Sequence, residues 1–250
     1  MANYRSAFSL RLLGIAAVMA SAACVPTEPP AVGAPQAAAL ADASPSAPRS
    51  SAYVDLLRRS GIEMAIPSTG KFIVVNIPSY ELVAFQDGEP VLRSRVIVGK
   101  PAMPTPELTA SMAAIRFNPD WTPTPSMVRN EGLQYMPPGP QNPLGRMMFA
   151  LDNDDLIYLH DTNEKQLFSR GQRALSHGCI RVQQARALAA WSLGVSEKAI
   201  DSMVARGSTY AVPVPEDIRV ALVYSTRFPD EYGEIMSYPD VYSHQTARAE

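Results

Sequence analysis

Tyr80-Glu81-Leu82-Val83-Ala84-Phe85-Gln86 runs through Asp87-Gly88 into Val91-Leu92-Arg93-Ser94-Arg95-Val96-Ile97-Val98. Two apolar runs around an Asp-Gly pair predict a β-hairpin, because Asp and Gly tolerate the positive φ of a tight turn. In the second strand Leu92, Ser94, Val96 and Val98 face one way and Arg93, Arg95 and Ile97 the other. This alternation predicts one buried face and one largely wet face. The stretches 72–77, 112–117, 147–151, 156–160, 209–214 and 219–224 read as further short strands. They do not alternate with long helices, so the spacing predicts a mainly β domain, a sandwich or a barrel.

Helical periodicity is confined to a few places. In 183–193 Ala185, Leu188, Ala189 and Trp191 or Ser192 fall on one face, with Gly194 placed to close the end. Ser196 is placed to cap a second helix carrying Ala199, Ile200, Met203 and Val204, ended by Gly207. Trp191 reads as core. A short amphipathic helix over 53–59, stopping near Gly61, is expected to pack on the edge of the domain. The Pro-rich stretch 119–145 has no period and reads as a long ordered or functional loop.

The 250 residues carry a formal charge of −2 and no basic cluster, which argues against nucleic acid as a partner. Residues 1–24 have the layout of an export signal: Arg5 and Arg11, an apolar run from Leu12 to Ala20, then small residues. Ala20-Ser21-Ala22 fits one kind of cleavage site. Ser21-Ala22-Ala23-Cys24 resembles a lipoprotein site, which makes Cys24 a candidate lipid anchor, although the usual leucine is missing. Export to the periplasm or cell envelope follows from either reading. The Pro, Ala and Ser-rich stretch 25–51 is expected to be a flexible tether, 52–69 a short helical segment, and 70–245 the folded domain.

Removal or lipidation of Cys24 leaves Cys179 as the only cysteine of the folded part, with no disulfide partner within the chain. A lone thiol in an oxidising compartment is either a small buried hydrophobe or a working nucleophile. As a nucleophile it needs a base or a positive field beside it, since a free thiol with a pKa near ~8.5 is only slightly ionised at neutral pH. His160 and His177 are the candidates. His160 ends a strand, and Ser176-His177-Gly178-Cys179-Ile180-Arg181 is compact enough for a turn whose backbone N–H groups converge. No set of His, Cys and carboxylate side chains suggests a metal, and no cofactor is expected.

His160-Asp161-Thr162, followed by Ser176-His177-Gly178-Cys179-Ile180-Arg181, resembles the signature of the L,D-transpeptidases, cysteine enzymes that remodel bacterial peptidoglycan. Further likeness runs through Val74 to Pro78, Val96 to Lys100, Thr105-Pro106, Gly139 to Gly145 and Val220 to Tyr242, so it spans about 70–245. The resemblance implies a β-sandwich-like catalytic domain with one or two helices after the cysteine, acting on donor and acceptor stem peptides. It makes Cys179 the nucleophile and His160 its base, oriented by the carbonyl of Asp161. The N–H groups of His177, Gly178 and Cys179 become oxyanion donors, with His177 in a supporting place, while Arg181 and Ser176 become substrate-binding candidates. Ser176 also reads as a turn former. Asp161 stands where many relatives carry Gly, although a periplasmic subgroup shares His-Asp-Thr. That subgroup has a large inserted lid, whereas here Trp121 to Gly139 is short. Transfer to an amine, hydrolysis, attachment of a protein to peptidoglycan and non-catalytic binding to peptidoglycan are the alternatives this reading leaves open.

Overall fold

Helix α1 (Ser50–Arg59) opens the described residues, 50–244 of a computed structural model. The expected export signal, Cys24 and nearly all of the tether lie outside the described residues. On α1, Tyr53, Leu56 and Leu57 form one stripe at three- and four-residue spacing and are all buried. They pack on Phe72 and Val74 of strand β1 (Lys71–Asn76), on Val83 and Phe85 of β2 (Glu81–Gln86), and on Phe228. Thus β1 is buried on both sides, because its alternate residues Ile73 and Val75 point into the main core.

β2 turns through Asp87-Gly88 into β3 (Glu89–Gly99), as the hairpin reading predicts. β4 (Leu108–Phe117) follows, then α2 (Pro125–Glu131), β5 (Met147–Asp152) and β6 (Leu159–His160). A 3-10 turn over Lys165–Ser169 leads to β7 (Ala174–Ser176) and β8 (Ile180–Val182). The chain ends with α3 (Ala185–Leu193), α4 (Glu197–Ala205), β9 (Tyr210–Val223), and a hairpin of β10 (Arg227–Pro229) and β11 (Ile235–Ser237).

The large sheet has the order β2-β1-β9-β4-β5-β6-β8-β3-β7, and β2 also pairs with β3. The ring of pairings closes because β3 serves two partners: residues 89–95 lie on β2, and residues 96–99 lie on β8 and β7. Its inward side chains, among them Met112, Ile115, Phe149, Leu159, Ile180 and Val220, form the main core with Leu188 and Ala189 of α3 and Ile200 of α4. The mainly β, sandwich-like class with two helices after Cys179 therefore holds. No described helix is long and apolar enough to cross a membrane.

Four local expectations are corrected. β3 is one-sided only in its first half: where it passes between β8 and β7, Val96, Ile97 and Val98 are all fully buried. The strand expected over 156–160 shrinks to β6, because Leu156 adopts φ 56° in a turn that the Asn153 side chain closes onto Ile157. The two strands expected over 209–214 and 219–224 are halves of β9. Pro213 faces Ala114 and Ile218 faces Met112, so 214–217 bulge out and imitate a loop in the sequence. The Pro-rich stretch contains α2, started by Thr124, whose hydroxyl accepts from Met127 N–H, and by Pro125 at its first turn. Seven residues are too few to show a period.

Arg93 fastens the outer layer to the sheet. Its guanidinium donates to Tyr53 Oη at 2.7 Å, to the Glu81 carboxylate at 2.8 Å, and to the carbonyls of Pro229 at 2.7 Å and Asp230 at 3.1 Å. Removing it strands these acceptors together. We expect Arg93→Ala to cost about 3 kcal/mol in urea unfolding; a loss below about 0.5 kcal/mol would show that the apolar contacts of α1 suffice alone.

Candidate active site

β6 and β8 are parallel neighbours in the register Leu159 with Ile180 and His160 with Arg181. Ile180 N–H donates to Tyr158 C=O at 3.0 Å, which extends the pairing back to the residue beside Cys179. Strand alternation turns Tyr158 and His160 to one face of β6 and Cys179 and Arg181 to the same face of β8. All four line a cavity of about 440 Å³. Trp121, Met127, Leu133 and Met136 from the Pro-rich segment form its apolar wall, and Glu131 and Glu164 also border it.

His160 is 5% exposed, and its Nδ1 lies 2.5 Å from the Asp161 carbonyl oxygen. A carbonyl only accepts, so Nδ1 carries the hydrogen and Nε2 keeps its lone pair. Burial and the nearby Arg181 charge hold the imidazole down to about 3, with Lys165 adding to them and the Asp161 carbonyl working against them. Cys179 is half-buried, and desolvation pushes its thiol up while the N–H and phenol of Tyr158 oppose the rise. At neutral pH the pair is therefore a thiol and a neutral imidazole rather than a preformed ion pair.

Asp161 is held from three sides. Its N–H donates to Met147 C=O at 2.9 Å, one carboxylate oxygen accepts from Arg146 N–H at 2.9 Å, and the other is ion-paired with Lys165. Gly145 passes so close that a Cβ there would sit 2.5 Å from the Asp161 carboxylate and 2.6 Å from Thr162 N. Its φ of +63° also disfavours any side chain.

The turn carrying Cys179 is closed by Ser176, whose Oγ donates to Cys179 C=O at 2.6 Å and accepts from Gly178 N–H at 3.2 Å. Gly178 sits at φ +114°, and its C=O accepts from Thr105 Oγ1 at 2.6 Å. Thr105 Oγ1 in turn accepts from Gly99 N–H at 2.9 Å, while Tyr242 Oη takes Thr105 N–H at 3.1 Å and donates to Gly99 C=O at 2.7 Å.

The four other motif side chains and groups have partners of their own in the structure. Gly178 N–H donates to Ser176 Oγ. The donor bond of the Ser176 hydroxyl lies within the turn, so the residue is a turn former rather than a substrate contact. The His177 ring reaches the Glu131 carboxylate at 2.8 and 3.0 Å, tying the motif to α2. Arg181 lines the cavity as expected of a substrate contact, but Nη1 is held by Glu164 at 2.5 Å and Nε is buried without a partner. An incoming carboxylate would have to share or displace Glu164. Sequence reasoning missed Tyr158, Glu131 and Glu164. Strand alternation back from His160 pointed to Tyr158; for the two glutamates there was no signal. Among the described residues no group of three His, Cys, Asp or Glu side chains could hold a metal ion.

Two outcomes follow, one from the burial of His160 and one from the packing of Gly145 on Asp161. The unfolded chain takes up a proton near pH 6.5 and the folded imidazole only near 3. Between these values the unfolded state binds more protons, so stability must fall as pH drops from 6.5 toward 3. Melting curves should show His160→Gln with a shallower loss over that window than the wild type; parallel curves would mean that the imidazole is not held neutral. Gly145→Ala should destabilise by roughly 2 kcal/mol or more through its positive φ and the clash with Asp161, read by urea unfolding.

Residues 70–214 match the family model of the YkuD L,D-transpeptidase catalytic domain. A Haemophilus influenzae protein provisionally named an L,D-transpeptidase is 30% identical over 223 aligned residues, covering 72% of this chain and 45% of that protein. This chain thus spans under half the length of that relative. Among solved structures, an L,D-transpeptidase from Mycobacterium smegmatis is 19% identical, covering 61% of this chain and 58% of that one, with a TM-score of 0.38. Another, from Xylanimonas cellulosilytica, is 16% identical over 70% of each chain, with a TM-score of 0.39. With its β-rich catalytic domain matched over more than half its length, the chain belongs to the L,D-transpeptidase catalytic-domain family.

Proposed function

We propose that this protein is a peptidoglycan L,D-transpeptidase in which Cys179 is the nucleophile and His160 the general base. The observation that carries the reading is the bond from His160 Nδ1 to the Asp161 carbonyl, which leaves Nε2 unprotonated on the wall of the cavity it shares with Cys179. Nε2 takes the proton from Sγ as sulfur attacks the carbonyl between a diaminopimelate-type residue and the terminal D-Ala of a tetrapeptide stem. The C=O pair moves to oxygen and returns to expel D-Ala, whose amine takes its proton from the imidazolium. An amine of a second stem attacks the resulting thioester, gives up a proton to Nε2, and leaves a 3-3 cross-link and a free thiol.

With Gly178 N–H turned to Ser176, we assign the oxyanion to the N–H groups of His177 and Cys179. Arg181 beside Glu164, with Glu131 across the cavity, offers both signs of charge to stems that carry both carboxylates and amines. In this reading the chain is exported and acts in the cell envelope. Residues 1–24 direct export, 25–51 tether the protein, 52–69 brace the domain, and 70–245 catalyse.

Muropeptide mass spectrometry of cells expressing the protein or Cys179→Ala tests the reaction. We expect 3-3 dimers that vanish with the substitution. Tripeptides without dimers would instead favour a carboxypeptidase, and identical profiles would remove the catalytic reading. His160→Ala should slow acylation of Cys179 by about 10²–10⁴-fold, and His177→Ala far less; equal losses would refute His160 as the base.

A further inference from the structure

We infer that Glu131 and His177 form a latch: the pair holds α2 over the cavity as a hinged wall, which makes both of them positioning residues for what the cavity receives. The inference rests on the reading above only for the occupant, a stem peptide.

The segment that walls the cavity has a fixed base and a free tip. At the base Trp121 and Met136 exchange both backbone hydrogen bonds, at 2.8 and 2.9 Å. The buried Asn142 amide adds bonds to the carbonyls of Pro119 at 2.9 Å and Pro137 at 3.1 Å. Beyond this base the chain from Thr124 to Tyr135 contains α2 and no buried residue. Its own hydrogen bonds are local, among them Met127 N–H to Thr124 Oγ1 and Gly132 N–H to Val128 C=O. Among the described residues, the one hydrogen bond or ion pair that ties this tip to the rest of the domain is that of Glu131 with His177, at 2.8 and 3.0 Å. Apolar burial adds little, since Val128 and Tyr135 of the tip are about half exposed.

The receiving end of the latch is fixed independently of α2. His177 lies between Ser176, whose hydroxyl accepts from Gly178 N–H and donates to Cys179 C=O, and Gly178, whose carbonyl is held by Thr105. A carboxylate only accepts, so His177 Nε2 donates to Glu131. Both side chains are partly buried, at 26% and 32% exposure, where a charge-assisted bond is stronger than on an open surface. With the bond made, Met127 and Leu133 of the tip stand beside Trp121 and Met136 of the base as one apolar wall. That wall offers its surface to the methyl and methylene groups of a stem peptide. With the bond broken, the tip is free to swing about its base, and Met127 and Leu133 leave the wall with it.

The test compares two alkylations of Cys179 in the full chain, one by iodoacetamide, which is small, and one by pyrenyl maleimide, which must pass the wall. Peptide mapping locates the label. Glu131→Met and His177→Leu keep bulk at each position but cannot form the bond. We expect each to raise the ratio of the pyrenyl maleimide rate to the iodoacetamide rate roughly fivefold, the scale of one partly exposed ion pair. KM for a stem tetrapeptide should rise by a similar factor, with a much smaller change in kcat. The reversed pair, Glu131→Lys together with His177→Glu, should bring both quantities back to within about twofold of the wild type. An unchanged ratio in the single variants would overturn the latch. So would a change in Glu131→Met alone, which would make Glu131 a direct contact of the ligand, and so would a reversed pair that restores nothing. A ratio that shifts and is restored, in a protein whose wild type is never acylated by stem peptide, would uphold the latch and refute the peptidoglycan reading instead.

Discussion

The site depends on one backbone carbonyl. Asp161 C=O against His160 Nδ1 settles the tautomer of a buried imidazole, and with it which nitrogen faces the cavity. A peptide carbonyl neither titrates nor rotates freely, so it makes a steady orienting partner. It is only as fixed as its residue. Here the fixing comes from the Asp161 side chain, which grips Arg146 N–H and Lys165, and from Gly145, which leaves the room for that grip. The Asp161 carboxylate thus acts on the imidazole at one remove, through its own backbone carbonyl.

Cys179 is positioned by equally indirect means. Its turn is closed locally by Ser176, but Gly178, at positive φ, is held by Thr105, far earlier in the chain, and Thr105 by Tyr242, near the last described residue. Residues of the β3–β4 connection and of the C-terminal segment therefore converge on the motif without entering the cavity. Desolvation of the thiol and of the imidazole both favour the neutral pair. Charge then need appear only as the thiol reacts.

The parts of this structure legible from sequence are those set by local pattern. Alternation and the Asp-Gly turn located the first hairpin, and Gly194 and Ser196 marked the junction of α3 and α4. The motif brought His160 and Cys179 to notice together. What escaped was decided by contacts distant along the chain. The pairing of Ile97 with β8 buries a face that reads as wet, and the bulge of 214–217 makes one strand read as two. Glu131 and Glu164 reach the site through a short helix and a turn whose placement no periodicity encodes. The bond from Gly178 N–H to Ser176 Oγ likewise depends on the Ser176 rotamer, which the sequence does not encode.

β9 also bears on where the domain may be cut. The stretch that matches the family ends at residue 214, yet 218–223 form the half of β9 that lies between β1 and β4. A chain trimmed to the matched stretch would lose the interior strand segment that joins β1 to β4. It would expose two unpaired edges in a fold that otherwise closes its ring of pairings, and such edges invite pairing between molecules. The practical boundary of the catalytic unit lies beyond β9.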